Sequence, residues 1–161
     1  MHARRHVLLL AVAVGALFLI ERHPAAQAKD PILGRWTLDV GKSSFAGATP
    51  MKRTMTFAAV PDGLKQTIVT TTAGNASVTY NLVYTAKFDG AEYPADVASA
   101  FSTVSLKRVD GRSVERIGKT NGQVVETEIY TVSPDGKTLR VKQEGENNGV
   151  PFTTAQVFER Q

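Results

Sequence analysis

The chain has 161 residues, three histidines, no cysteine and a formal net charge of +4 at pH 7. All three histidines lie within the first 28 residues, so residues 29–161 contain neither histidine nor cysteine. Those residues therefore cannot form a Ser-His-Asp triad, a Cys-His pair, a zinc site with His or Cys ligands, or a haem site with an axial His or Cys. They cannot form a disulfide either, so the hydrophobic core has to hold the domain together unaided.

The first 28 residues have the three parts of a secretory signal peptide. Arg4 and Arg5 are positively charged, residues 7–20 are an unbroken apolar run of 14 residues, and Ala26-Gln27-Ala28 is a small-x-small cleavage site. A membrane-spanning helix needs roughly 20 apolar residues, so the run is short for an anchor. We predict cleavage after Ala28 and export to the periplasm or the extracellular space. An uncleaved membrane anchor is the alternative interpretation.

The mature domain, residues 29–161, is long enough for a single domain with its own core. The leader carries three arginines and one glutamate, so its removal lowers the net charge from +4 to +2. A charge this small gives no electrostatic footprint for nucleic acid. We therefore expect no nucleic-acid partner. We also expect no stable insertion into a membrane, because a membrane barrel needs an apolar outer band with two aromatic girdles and only 11 aromatic residues remain after the leader.

Turn dipeptides divide the mature chain at short intervals. Asp-Gly or Asn-Gly pairs begin at positions 62, 89, 110, 121, 135 and 148, and such pairs accept the positive φ angles of tight hairpins. Between them apolar and polar residues alternate, as they do in residues 78–88, which is typical of half-buried strands. The pattern predicts strands over 34–40, 51–60, 64–72, 76–88, 91–94, 101–109, 112–119, 123–132, 137–144 and 152–160.

These short connections favour a single antiparallel up-and-down barrel of about 8–10 strands, because closure buries one face of each strand and removes the sheet edges. A β-sandwich is the alternative, but its Greek-key crossings need longer connections. Only residues 41–50 and 94–100 are long enough for these. We expect little helix, with a helical turn confined to 42–48 or 95–100.

The two ends of the domain carry a family resemblance. Gly34-Arg35-Trp36, followed by Lys42-Ser43-Ser44-Phe45, resembles the opening of small exported bacterial lipocalin-like proteins of uncharacterised function, which belong to the superfamily of lipocalins and fatty-acid-binding proteins. Residues 155–160 resemble the closing strand of fatty-acid-binding proteins. The resemblance implies a lipocalin-like barrel closed at Gly34 and Trp36, with Trp36 buried against the last strand. It also implies a non-catalytic binding module.

The candidate ligand site combines one strand face with the last strand. Tyr80, Tyr84 and Phe88 alternate along one face and are expected to form an aromatic wall, although the same pattern also suits a plain core. The resemblance adds Gln156 and Phe158, which occupy the positions of the Arg-x-Tyr pair that holds the ligand carboxylate in fatty-acid-binding proteins.

Gln156 and Phe158 cannot form that clamp, because an amide and a phenyl ring supply no positive charge. We therefore expect a ligand that is apolar or weakly polar and has no buried carboxylate. The expectation depends on three arginines facing away from the interior: Arg53, Arg108 and Arg116.

One pair of glutamates is a candidate for acid–base chemistry. Glu126 and Glu128 lie on the same strand face, but we expect them on the solvated outer surface, with Thr127 and Ile129 in the core. We therefore expect no enzyme activity, no metal and no cofactor. The alternative function is a structural or protein-interaction domain of the cell envelope with a filled core, and a cavity of roughly 300 Å³ or more distinguishes the two.

Overall fold

A computed structural model describes residues 29–72, 78–97, 101–147 and 149–161. The leader lies outside the described residues, and so does the predicted cleavage site. No helix in the described part of the chain has the length and apolar character required to cross a membrane.

The architecture is a closed antiparallel barrel of ten strands in chain order, in which β1 pairs with both β2 and β10. The described ranges contain no α-helix. The prediction of an up-and-down barrel is therefore confirmed, and the sandwich alternative is wrong. The strands are β1 (Gly34–Ser44), β2 (Pro50–Val60), β3 (Gly63–Thr72), β4 (Val78–Lys87), β5 (Tyr93–Val97), β6 (Thr103–Arg108), β7 (Ser113–Thr120), β8 (Gln123–Val132), β9 (Thr138–Asn147) and β10 (Val150–Arg160).

Trp36 lies where the barrel closes. It is fully buried, pairs with Arg160 in the β1–β10 ladder, and donates a hydrogen bond from Nε1 to the carbonyl of Ile32 at 2.9 Å. Arg160 covers the indole ring and donates to the carbonyl of Leu33 at 2.7 Å. Gly34 has a φ of +125°, and a Cβ there would lie 2.9 Å from Nη1 of Arg160. This end of the barrel, called the closed end below, is therefore sealed by side chains.

The closed half of the barrel is filled by apolar side chains from many strands. Phe57 and Tyr130 meet edge to face, with ring centroids 5.6 Å apart. Leu64, Leu139 and Phe158 pack in the same fully buried cluster. Because the strands alternate in direction, the connections from odd-numbered to even-numbered strands lie at the opposite end, called the open end below.

Candidate functional site

A layer of polar side chains lies in the barrel interior between the apolar core and the open end. We call it the polar layer. Its members come from seven strands and are joined by side-chain hydrogen bonds, some of which link strands that are not neighbours in the sheet. They are Arg53, Gln66, Tyr84, Arg116, Glu126, Glu128, Tyr130, Gln143 and Gln156.

Arg116 pairs with two glutamates at the centre of this layer. All three residues are buried, Arg116 being only 1% exposed. Its Nη2 lies 2.8 Å from Glu128 Oε2 and also contacts Glu126 Oε1, while Nε donates to Glu128 Oε2 at 3.1 Å. Burial disfavours the charged form, but the neighbouring charges, Glu128 foremost, raise the pKa of Arg116 well above its usual value. The three residues therefore form a fixed ionic cluster.

The prediction that Glu126 and Glu128 face solvent was wrong. From Glu126 to Val132 the even-numbered residues of β8 are buried, while Thr127 and Ile129 are only half-buried on the outer surface. The expectation relied on charged residues lying outside. Burial is tolerated here because Arg116, on the paired strand β7, faces Glu128 across the ladder.

Tyrosines extend the hydrogen-bonded chain from the cluster towards β4. Tyr130 donates to Glu128, Gln66 donates from Nε2 to the Tyr130 hydroxyl at 3.3 Å, and Tyr84 donates to Gln66 Oε1. Burial raises the pKa of Tyr84 above its ordinary value of 10.0, although Arg116 acts in the opposite direction. Burial likewise raises the pKa of Tyr130. Both phenols are therefore held in the neutral form.

Arg53 differs from Arg116 in having only neutral hydrogen-bond partners. Its Nε donates to Thr70 Oγ1 at 2.9 Å, and its Nη1 donates to Gln156 Oε1 at 2.7 Å. No acidic side chain within the described ranges forms an ion pair with it. Burial lowers the pKa of Arg53, opposed by the charges of Glu128 and Glu126. Arg53 therefore presents a partly buried cation without a directly bound counter-ion.

Two cavities meet at Arg53. The outer cavity, of about 760 Å³, lies at the open end among the β1–β2 connection, the start of β2 and the β9–β10 hairpin. The inner chamber, of about 330 Å³, lies deeper and is lined by Arg116, Glu126 and Glu128 among others. Four residues line both spaces: Arg53, Thr70, Thr72 and Gln143.

The candidate ligand residues from the sequence are placed at different depths. Gln156 lines the outer cavity, and Tyr84 belongs to the polar layer. Phe158 lies in the apolar core, and Phe88 lies beneath the guanidinium of Arg108, 4.3 Å from it. The structure describes only the backbone of Tyr80, which pairs with Thr70. The described structure therefore brings Tyr84 and Gln156 into one hydrogen-bonded network and leaves Phe88 and Phe158 elsewhere.

Sequence reasoning missed the two interior arginines. The alternation of inward and outward positions along each strand could have revealed them. Arg53 lies on the same strand face as Met55 and Phe57, which both face the core. In the same way Glu128 lies on the same strand face as Tyr130 and Val132, which are both buried. A consistent assignment of inward positions along each strand would have placed these charges inside.

Comparisons with known proteins support the fold. No protein-family model matches the chain, and no curated protein matches it. A solved structure described as "As-p18, an extracellular fatty acid binding protein" matches with a TM-score of 0.52 and 14% identity, covering 82% of this chain and 97% of that chain. At this identity the likeness shows the fold alone. The chain therefore shares its closed antiparallel barrel fold with that protein.

Proposed function

We propose that the protein is an exported, non-catalytic binding module that holds a small amphipathic ligand in the outer cavity. The observation that carries the proposal is the cavity of about 760 Å³ at the open end of a closed barrel, which lies within the usual range for ligand pockets of roughly 300–1,000 Å³. Its wall contains Phe45, Pro50, Val150 and Phe152, and Arg53 lies at its base. The cavity weighs against a purely structural domain with a filled interior.

The hydrogen bonds of the buried glutamates support a non-catalytic role. Glu128 Oε2 accepts hydrogen bonds from Arg116 and Tyr130, and Glu126 accepts from Arg116 and, at 2.8 Å, from Gln143. These carboxylate oxygens are therefore engaged by side chains of the protein itself, which leaves them poorly placed to act on a substrate.

The polar end of the ligand is proposed to be acidic and to contact Arg53. The expectation of a neutral ligand rested on the lack of a cation beside Gln156, and Arg53 supplies one at 2.7 Å from its amide oxygen. Arg116 is less suitable because it already faces two carboxylates. An anion at Arg53 would form charge-assisted hydrogen bonds, which are the stronger kind. The fatty-acid-binding neighbour supports the same choice of ligand class.

A displacement assay with palmitate and methyl palmitate at neutral pH tests this proposal. We expect palmitate to bind about tenfold more tightly than its ester, because a hydrogen bond to a charged group contributes about 1.5–3 kcal/mol. Arg53→Gln should remove the preference, since it keeps an amide donor and loses the charge. Arg140→Gln is the matched control, because Arg140 is exposed on the outer surface.

Three other outcomes would change the conclusion. Equal binding of acid and ester would restore the neutral ligand predicted from the sequence. A preference for palmitate that survives Arg53→Gln would move the acid group away from Arg53. A failure of both compounds to bind would favour the alternative, a domain that contacts a protein partner.

A further inference from the structure

Arg116 has one donor that its ionic cluster does not use. Nη1 is buried and has no hydrogen-bond partner among the described residues, whereas Nε and Nη2 contact the two glutamates. A buried donor without an acceptor is costly, and such groups in native proteins are almost always satisfied. Nη1 therefore marks a position where an acceptor oxygen would be stabilised.

Arg116 is one of the residues that line the inner chamber, and we assign that oxygen to this space. Arg116, Glu126 and Glu128 form its polar wall, and Met55 and Leu82 contribute to its apolar wall. The ring of Phe101 also lines the chamber and lies 4.8 Å from the guanidinium of Arg116. With a volume of about 330 Å³, the chamber has room for a small substituent as well as water.

The charges of the cluster determine what kind of oxygen fits. Arg116 is paired with two carboxylates, so the cluster carries one more negative than positive charge when both are ionised. A further carboxylate would add a third negative charge at close range, which is unfavourable in a buried site. A hydroxyl or carbonyl oxygen accepts the hydrogen bond from Nη1 without adding charge.

The position of Arg53 indicates how far this oxygen can lie from the acid group along the ligand. Arg53 lines both cavities, so a carboxylate bound to it has the inner chamber on one side and the outer cavity on the other. The apolar tail occupies the outer cavity. A substituent that reaches the inner chamber must therefore be attached close to the carboxyl group.

We infer that the preferred ligand is an amphipathic acid with a hydroxyl or carbonyl group on the first or second carbon beyond its carboxyl group, and that this oxygen accepts a hydrogen bond from Arg116 Nη1. The inference rests on the proposed function, because it assumes that the acid group contacts Arg53. It extends that function by assigning a second subsite, with a defined chemistry, to the inner chamber.

The test compares palmitate with α-, β- and ω-hydroxypalmitate in the displacement assay on the wild-type protein. We expect the α- or β-hydroxy acid to bind about tenfold more tightly than palmitate, equivalent to about 1.4 kcal/mol. The ω-hydroxy acid is the matched control, because its hydroxyl lies at the far end of the tail. It should gain nothing over palmitate.

Arg116→Lys provides the second arm of the test. Lysine keeps a positive charge for Glu126 and Glu128 and removes Nη1, so the affinity ratio of hydroxy acid to palmitate should fall to about one. The expected result is a ratio that depends on both the hydroxyl position and Arg116.

The wild-type comparison can overturn the inference without any variant. Equal binding of all four acids, or an equal gain from the ω-hydroxyl, would refute the second subsite while leaving the proposed function intact, since palmitate would still bind. A positional preference that persists in Arg116→Lys would also refute it. A lack of binding by all four acids would refute the proposed function, and the inference with it.

Discussion

The guanidinium of Arg160 lies 4.1 Å from the ring of Trp36, and the two residues are partners in the ladder between the first and last strands. A cation over an indole face is attracted by the ring quadrupole. Arg160 also donates to the carbonyls of Leu33, Pro31 and Gly136. One side chain thus ties the segment before β1 and the β8–β9 turn to the indole ring.

Replacing Trp36 should therefore destabilise the whole barrel. Trp36→Ala removes a fully buried side chain at the closure, and we expect a loss of about 3–5 kcal/mol in the free energy of unfolding. That is a large part of a typical stability of about 5–15 kcal/mol. Denaturation in urea measures the change. Trp36→Phe, which keeps an aromatic ring and loses the Nε1 donor, should cost less; a near-neutral Trp36→Ala would contradict this account of closure.

The fold was predictable because its signals are local. Asn121 and Gly122 both adopt positive φ, at 52° and 77°, as an Asn-Gly hairpin requires. Each such turn marks the end of one strand and the start of the next. Because the connections are short, consecutive strands are expected to pair as antiparallel neighbours. The Gly-x-Trp resemblance added the closure between β1 and β10. The strand bounds from the sequence agree with the structure to within a few residues.

The interior of the site was less predictable, because polarity alone does not determine which face of a strand is buried. Glu126 and Glu128 are stabilised inside by Arg116, which lies ten residues or more away in sequence. Arg53 and Gln156 lie 103 residues apart in the chain and meet only when the barrel closes. Such contacts depend on the register between strands, which a single sequence does not specify.

Removing only the cation of the buried ionic cluster should destabilise the protein more than neutralising all three of its charges. Arg116→Met leaves two buried carboxylates without their cation, and we expect a loss of about 3–5 kcal/mol in the free energy of unfolding. The triple variant that adds Glu126→Gln and Glu128→Gln should recover most of this loss, because no uncompensated charge remains. Urea denaturation of both variants measures the difference. A triple variant as unstable as the single one would show that geometry, rather than charge, is responsible.

Alkaline pH should destabilise the protein through its buried phenols. Tyr84 and Tyr130 have raised pKa values in the folded state, so the stability they contribute is present below their ordinary pKa of 10.0 and is lost as pH rises above it. The double variant Tyr84→Phe with Tyr130→Phe should show a smaller loss of stability above about pH 10. Urea denaturation across that pH range measures the slope, and an unchanged slope would assign the effect to other groups.

The leader remains a prediction that protein recovered from its host can test. Because the cleavage motif ends at Ala28, N-terminal sequencing should find Lys29 or a close neighbour as the first residue. Replacing Ala26 and Ala28 with bulky residues should block processing and leave the longer form. Full-length protein starting at Met1 in the inner membrane would instead indicate an anchor.

The last prediction concerns the close approach between Gly118 on β7 and Phe101, which comes just before β6. A Cβ at position 118 would lie 2.8 Å from the Phe101 ring and 3.1 Å from Cγ of Glu126. Gly118→Ala should therefore cost about 1–3 kcal/mol in the free energy of unfolding, as expected for an overpacked interior.

If the ring of Phe101 is the obstacle, the cost should depend on that ring. In a Phe101→Leu background Gly118→Ala should cost less, because the smaller side chain can move aside, and alanine also loses less conformational freedom on folding than glycine. Gly111→Ala is the control, since nothing lies within 4 Å of a Cβ there, and it should change stability by less than about 0.5 kcal/mol. A double-mutant cycle in urea measures the coupling between positions 101 and 118. Strictly additive losses would mean that Phe101 does not set the limit at Gly118, and that the backbone or Glu126 does.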